Sequence, residues 1–210
     1  MTVSKVNSAR SKTMTHLTRS FFSQPTRQLA QALIGCRLVR RFNGQRLSGM
    51  IVETEAYISE KDLACHARHG RTARTEVMYG PAGRAYVYFT YGMHWMLNIA
   101  SEPENFPAAV LIRAIEPIEG VEIMSAHRNA RPLKQLGSGP AKLTQALQID
   151  RSFNGVDLCD RTAELWLEPD RSISARSIAR GPRIGLDATP EPWLSKPWRF
   201  WLKNNPFVSK

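Results

Sequence analysis

Glu55 opens the chemistry. From Met1 to Val52 the chain carries nine Lys or Arg residues and no Asp or Glu. The first carboxylates then arrive inside an alternating, largely apolar run, Val52-Glu53-Thr54-Glu55-Ala56-Tyr57. A carboxylate projecting from a strand among apolar residues is either paired or put to use, because an unpaired buried charge is costly. Arg113 stands in an equally apolar run, Ala109-Val110-Leu111-Ile112-Arg113-Ala114, where a guanidinium needs a reason. A Glu and an Arg half-buried in strands can hold a water between them. Such a carboxylate stays ionised beside the cation and can act as a general base. A plain salt bridge to one of the many arginines is the competing reading.

The aromatic residues point the same way. All five tyrosines fall between Tyr57 and Tyr91. Tyr57, Tyr86 and Tyr88, near His66, fit a stacking pocket for a planar base; as strand-favoured residues they also fit an ordinary core. Tyr91, beside Gly92, is a large ring at a turn with no evident packing task. It could wedge into a base stack, as side chains do when proteins open the minor groove.

Period two in residues 45–57 puts Glu53, Glu55 and Tyr57 on one strand face and Val52, Thr54 and Ala56 on the other. Residues 24–34 read as a helix capped by Ser23, with Pro25 in its first turn and Gly35 as its stop. Residues 36–42 alternate as a strand, and Asn43-Gly44 signals a hairpin. Ser59 opens a predicted short helix, with Asp62 as a capping-box partner, that carries Cys65 and His66. Residues 85–91 and 95–100 form a predicted hairpin with Tyr91 near its tip. A strand over 108–114 ends by Pro117, and helices follow over 118–129 and from Ser138-Gly139-Pro140 to about Leu147. Residues 165–167, 177–186 and 198–202 read as later extended segments. The expected fold is a single α+β domain with a curved, mostly antiparallel, barrel-like sheet flanked by helices.

A chain of 210 residues suits one domain with a sizeable core. Its net charge of +11 and pI of about 10.1 favour a polyanionic partner, nucleic acid before acidic lipid. An inert basic surface is the blander account of that charge. Cys36, Cys65 and Cys159 lack CxxC spacing, which suits a reducing compartment. No apolar run reaches the ~18 residues of a membrane helix. Residues 1–15, rich in Ser, Thr, Lys and Arg without a hydrophobic region, read as a disordered basic tail rather than a secretory signal; an organelle transit peptide is the alternative. The domain then spans 16–210.

Cys65-His66-Ala67-Arg68-His69 has no second cluster at ligand spacing, and HExxH is absent, so no metal is expected. There is no P-loop, GxGxxG, serine-hydrolase or kinase signature. Lys61, Lys134 and Lys142 lie away from the tyrosine-bearing strands, which disfavours Schiff-base chemistry.

With these residues in view, the chain resembles the alkyladenine DNA glycosylases, also called 3-methyladenine or methylpurine DNA glycosylases. The matching runs are Ile51-Val52-Glu53-Thr54-Glu55-Ala56-Tyr57, residues 85–93, residues 110–117 and Ser138-Gly139-Pro140-Ala141-Lys142. Weaker matches lie at Arg183-Ile184-Gly185 and Trp198-Arg199-Phe200. The resemblance implies a monofunctional enzyme of base excision repair that flips alkylated or deaminated purines from double-stranded DNA. It would hydrolyse the N-glycosidic bond, leave an abasic site and have no lyase activity.

By the same resemblance Glu55 is the general base that activates water, and Arg113 and the Ile184 carbonyl help hold that water. Tyr57 stacks on one face of the base, with His66 and Tyr88 opposite and Tyr86 orienting His66. Asn98 disfavours the exocyclic amine of guanine. Tyr91 enters the minor groove from a protruding hairpin that also carries Met93. No metal or organic cofactor, no membrane and a monomer are expected, in the bacterial cytoplasm or a nucleus. A non-catalytic nucleic-acid module would share the basic surface but leave Glu55 unexplained, because a carboxylate near phosphate weakens binding. A small-molecule transferase would leave Tyr91 and the positive charge unexplained.

Overall fold

Asn43 and Gly44 both take left-handed backbone angles, φ 48° and 76°, as a two-residue hairpin turn of the primed type requires. They join β1 (Arg37–Phe42) to β2 (Gln45–Ile58), with Phe42 paired to Gln45. β2 is the spine of the sheet. β5 (Ala108–Glu119) runs along one side of it. β1 covers the first half of the other side, and β8 (Arg199–Leu202) takes over beside Glu53, Thr54 and Glu55. The hairpin of β3 (Ala85–Thr90) and β4 (His94–Ala100) adds to β5. β6 (Leu165–Glu168) adds to β1, and β7 (Ile178–Gly181) to β8. The computed structural model describes residues 16–209, so the tail expected over residues 1–15 lies outside the described residues.

Every ladder is antiparallel, and the order β3-β4-β5-β2-β1-β6 has two ends. The sheet is therefore open among the described residues, not the barrel-like form expected. The outer edge of β3 is occupied by a loop instead of a closing strand. Ala85 N–H donates to Val156 O at 2.8 Å, Gly155 N–H to Ala85 O at 2.8 Å, and Val87 N–H to the Asn154 side chain at 2.9 Å. An edge covered this way offers little to a further strand.

Short helices sit mainly on one face. Leu29 and Ala30 of α2 (Thr26–Ala32), which follows α1 (Arg19–Phe22), and Leu33 at its C-cap join the main core with Leu47, Ile51 and Ala56 of β2. Thr54 Oγ1 donates to Ala30 O at 2.7 Å and fastens helix to strand. After α3 (Val121–His127) and α4 (Leu133–Leu136), α5 (Pro140–Ala146) lays Leu143 and Ala146 into the same core. The alternating residues Glu53, Glu55, Tyr57 and Tyr86 are left for the other face.

Several local expectations are corrected. α2 begins after Pro25, while Ser23 Oγ donates back to Arg19 O and so serves α1. Pro117 does not end β5; it lies opposite Gly49 at a register shift, where its missing N–H is tolerated. The following helix therefore starts only at Val121. Extended structure after Ile178 stops at Gly181.

No helix starts at Ser59, whose φ is 64°. A 3-10 turn covers His66–His69. Asp62 is instead fully buried, paired with a fully buried Arg183 through contacts of 2.6 and 2.9 Å. It also accepts from the Ile58 and Ala64 amides at 3.2 and 3.1 Å. A helix cap would contribute about 1 kcal/mol, whereas breaking a buried pair costs about 3–5 kcal/mol. Asp62→Ala should lower the denaturant-unfolding free energy by the larger amount; a loss near 1 kcal/mol would restore the capping role.

Candidate active site

The site is built around an irregularity in β2. Ile51 pairs with Ile115, Glu53 with Ala114 and Thr54 with Ile112, which leaves Val52 and Arg113 outside the register. The bulge re-aims side chains. Val52 leaves the face expected of it and packs with Met50, Ala114 and Phe207, while Ala56 stays in the main core. Arg113 comes to lie between Glu53 and Glu55, and its Nε meets Glu53 Oε1 at 3.0 Å while its Nη1 meets Glu55 Oε1 at 3.2 Å.

Both carboxylates are fully buried, and Arg113 is 6 % exposed. The two are thus more deeply buried than the half-buried pair expected, and they touch directly. Two more donors fix Glu55. The Ile184 backbone N–H reaches Oε1 at 2.7 Å, and the Tyr57 hydroxyl reaches Oε2 at 2.9 Å. Ile184 therefore also holds Glu55 itself through its amide, a contact not foreseen from the sequence. Burial pushes the Glu55 carboxyl above its ordinary range, against the downward pull of Arg113, the Ile184 amide and Tyr57. Burial and the Glu55 charge together keep the Tyr57 phenol protonated.

Beside this pair opens a cavity of about 300 Å³, lined by Tyr57, His66, Tyr86, Tyr88, Tyr91, Asn98, Arg113 and Ile184 among others. His66 Nδ1 lies 2.9 Å from the Tyr86 hydroxyl. The imidazole meets the Tyr88 ring edge-on, with centroids 4.5 Å apart and planes at 81°. Burial, helped by Arg74 and Arg68, lowers His66 to about 4. Asn98 Nδ2 donates to Tyr86 O at 3.1 Å, which ties the amide to the neighbouring strand.

The strand hairpin ends at Tyr91 and Gly92, both with positive φ of 51° and 66°. A left-handed aromatic residue costs about 1–2 kcal/mol of backbone energy, yet Tyr91 is 77 % exposed and Met93 67 % exposed. Met93 does not line the cavity. It borders a separate hollow with His94, Trp95 and residues of α5.

Some contributors were not foreseen. Arg183 lies 4.7 Å from the Tyr57 ring centroid and closes one face of it. Arg74 lies 5.1 Å from the Tyr88 ring centroid. Glu53 gathers Arg113, Arg199 and Ser209. Glu53 was visible in the same run as Glu55, and Arg183 beside Ile184; nothing in the local sequence marks Arg74 or Ser209. No group of three or more His, Cys, Asp or Glu side chains suited to a metal occurs among the described residues.

The family profile described as Methylpurine-DNA glycosylase matches residues 20–206. The chain belongs to the methylpurine-DNA glycosylase family. A protein of Methanocella arvoryzae, provisionally named a 3-methyladenine DNA glycosylase, is 50 % identical over 195 residues, covering 92 % of this chain and 96 % of its own. Similarly named proteins of Carboxydothermus hydrogenoformans and Myxococcus xanthus are 45 % identical over 194 residues and 44 % over 197. They cover 92 % and 94 % of this chain, and 98 % and 95 % of their own. The family is one of DNA glycosylases, hydrolases of N-glycosyl bonds whose substrate is DNA. No described helix is long and apolar enough to cross a membrane.

The cavity electrostatics give a direct test. A neutral His66 keeps a cation off the aromatic wall at neutral pH. An NMR titration should find its imidazole neutral down to about pH 4. Titration at the ordinary 6.5 or above would contradict the buried, arginine-flanked placement.

Proposed function

We propose that the protein is a monofunctional DNA glycosylase that flips damaged purines into this cavity and hydrolyses their N-glycosidic bond. The observation that carries the reading is the Glu55 carboxylate, fully buried and tied to three residues that line the cavity, Arg113, Ile184 and Tyr57. A carboxylate has about four lone-pair positions. Among the described residues Oε1 meets two donors and Oε2 one. Oε2, which carries the fewer donors, is in this reading the oxygen that accepts a proton from water.

In this reading the flipped purine lies between Tyr57 and the wall of His66 and Tyr88. Asn98, in the cavity lining, rejects an exocyclic amine, and Tyr91 fills the gap left in the duplex. Extrusion costs a few kcal/mol, which stacking and the exposed Tyr91 ring offset. Glu55 takes a proton from water as the water attacks C1′, and the C1′–N bond breaks. A 3-methyladenine or 7-methylguanine already carries positive charge and leaves as a neutral base. Hypoxanthine or ethenoadenine needs a proton as well. No lysine is called on, so the product is an abasic site with the strand intact.

The test is release of free base from duplexes carrying a single 7-methylguanine or deoxyinosine. Glu55 must be ionised, and its range is raised, so the rate on both lesions should fall as pH drops through a value above 4.5. Only the neutral lesion should also lose rate at high pH, where its leaving-group proton is scarce. Absence of free base on both lesions, or direct strand cleavage, would overturn the reading.

A further inference from the structure

Arg113 serves more than Glu55. Its Nε reaches Glu53 at 3.0 Å, its Nη1 reaches Glu55 at 3.2 Å and its Nη2 reaches Ser209 Oγ at 3.2 Å. Glu53, fully buried, takes three further contacts: Arg199 Nη1 at 3.2 Å, Ser209 N–H at 2.7 Å and Ser209 Oγ at 2.9 Å. The segment before Ser209 is fastened as well. Asn205 Nδ2 donates to Glu116 at 2.8 Å, and Phe207 is buried against Met50, Val52 and Ala114. Four donors on one buried carboxylate are a large commitment of polar groups, and the reaction proposed above uses neither Glu53 nor Ser209.

We propose that Glu53 and Ser209 are positioning residues for base excision: they lock the Arg113 guanidinium in place and divide its charge between two carboxylates, so that Glu55 is held without losing its basicity. The proposal rests on the reading of Glu55 as general base. A buried carboxylate paired alone with a guanidinium is well fixed but a weak base. A second carboxylate on the same guanidinium relieves this, because its negative charge opposes that of Arg113. Glu55 is faced by Glu53 and Tyr57 on β2, Arg113 on β5, Arg199 on β8 and Tyr88 on β3, with Arg183 behind Tyr57. Among these Glu53 pushes Glu55 upward, in the same sense as burial.

The sign of the effect follows. Removing the Glu53 charge removes an upward push, so Glu55 ionises at lower pH and becomes a weaker base. Single-turnover release of 7-methylguanine by the full chain is measured against pH, with duplex affinity measured in parallel. Glu53→Gln should move the acid limb to lower pH and reduce the plateau rate. Ser209→Ala removes the Oγ bonds to Glu53 and Arg113 and should slow release about tenfold through misplacement of Arg113, at unchanged duplex affinity. Ser209→Thr keeps the hydroxyl and should restore the rate.

Wild-type release with Ser209→Ala at the wild-type rate, or with the Glu53→Gln limb unmoved, overturns the positioning role alone. A wild type that releases no base overturns the glycosylase reading and this role with it. Should Glu53→Gln fail to fold, the Ser209 pair decides: Ser209→Ala at the wild-type rate, or Ser209→Thr as slow as Ser209→Ala, overturns the proposal.

Discussion

A single guanidinium shared by two buried carboxylates is the constraint around which the structure is arranged. Burying ions costs several kcal/mol each unless geometry and hydrogen bonds compensate. Here compensation comes from every direction. The irregular register of β2 and β5 aims Arg113, β8 supplies Arg199, the loop after β7 supplies the Ile184 amide, and Ser209 supplies two donors. These elements are far apart in sequence; ladders join β2 to β5 and β8, and the cluster ties the Ile184 loop and Ser209 to them.

The cavity shows the opposite economy. Its rings are buried or half-buried and are ordered by edge contacts and by the His66–Tyr86 hydrogen bond. A few residues along the same β3–β4 hairpin, Tyr91 stands in a left-handed turn and faces solvent. A folded chain that merely minimised its own energy would bury that ring or replace it. A rigid pocket with a strained, exposed aromatic residue at its rim suits a site whose partner is a duplex that must be opened.

Much of this was legible in the sequence. The apolar runs around Glu55 and Arg113 marked both as costly charges, and the tyrosine cluster marked the wall of the cavity. Period two placed Glu55 and Tyr57 on one face, and they do share a hydrogen bond. What escaped has a common cause. Alternation cannot reveal a one-residue bulge, so Val52 was assigned to the wrong face and Arg113 was read as half-buried when it is enclosed between two carboxylates. Asp62 was taken for a local cap because its real partner, Arg183, lies 121 residues away. Ser209 is more remote still from Glu53, at 156 residues. Strand pattern reports local periodicity; long-range polar pairing leaves almost no local trace.

The most direct measurement is single-turnover release of 7-methylguanine from duplex DNA by wild type and Glu55→Gln, with lesion-duplex affinity measured on the same proteins. The substitution keeps the size of the side chain and removes its ability to take a proton. Glu55→Gln that binds the lesion duplex like wild type but releases base at least ~100-fold more slowly, as loss of a general base requires, is the result predicted. Release at the wild-type rate would show that the buried carboxylate is only the counter-ion of Arg113, and the account of the site would be wrong.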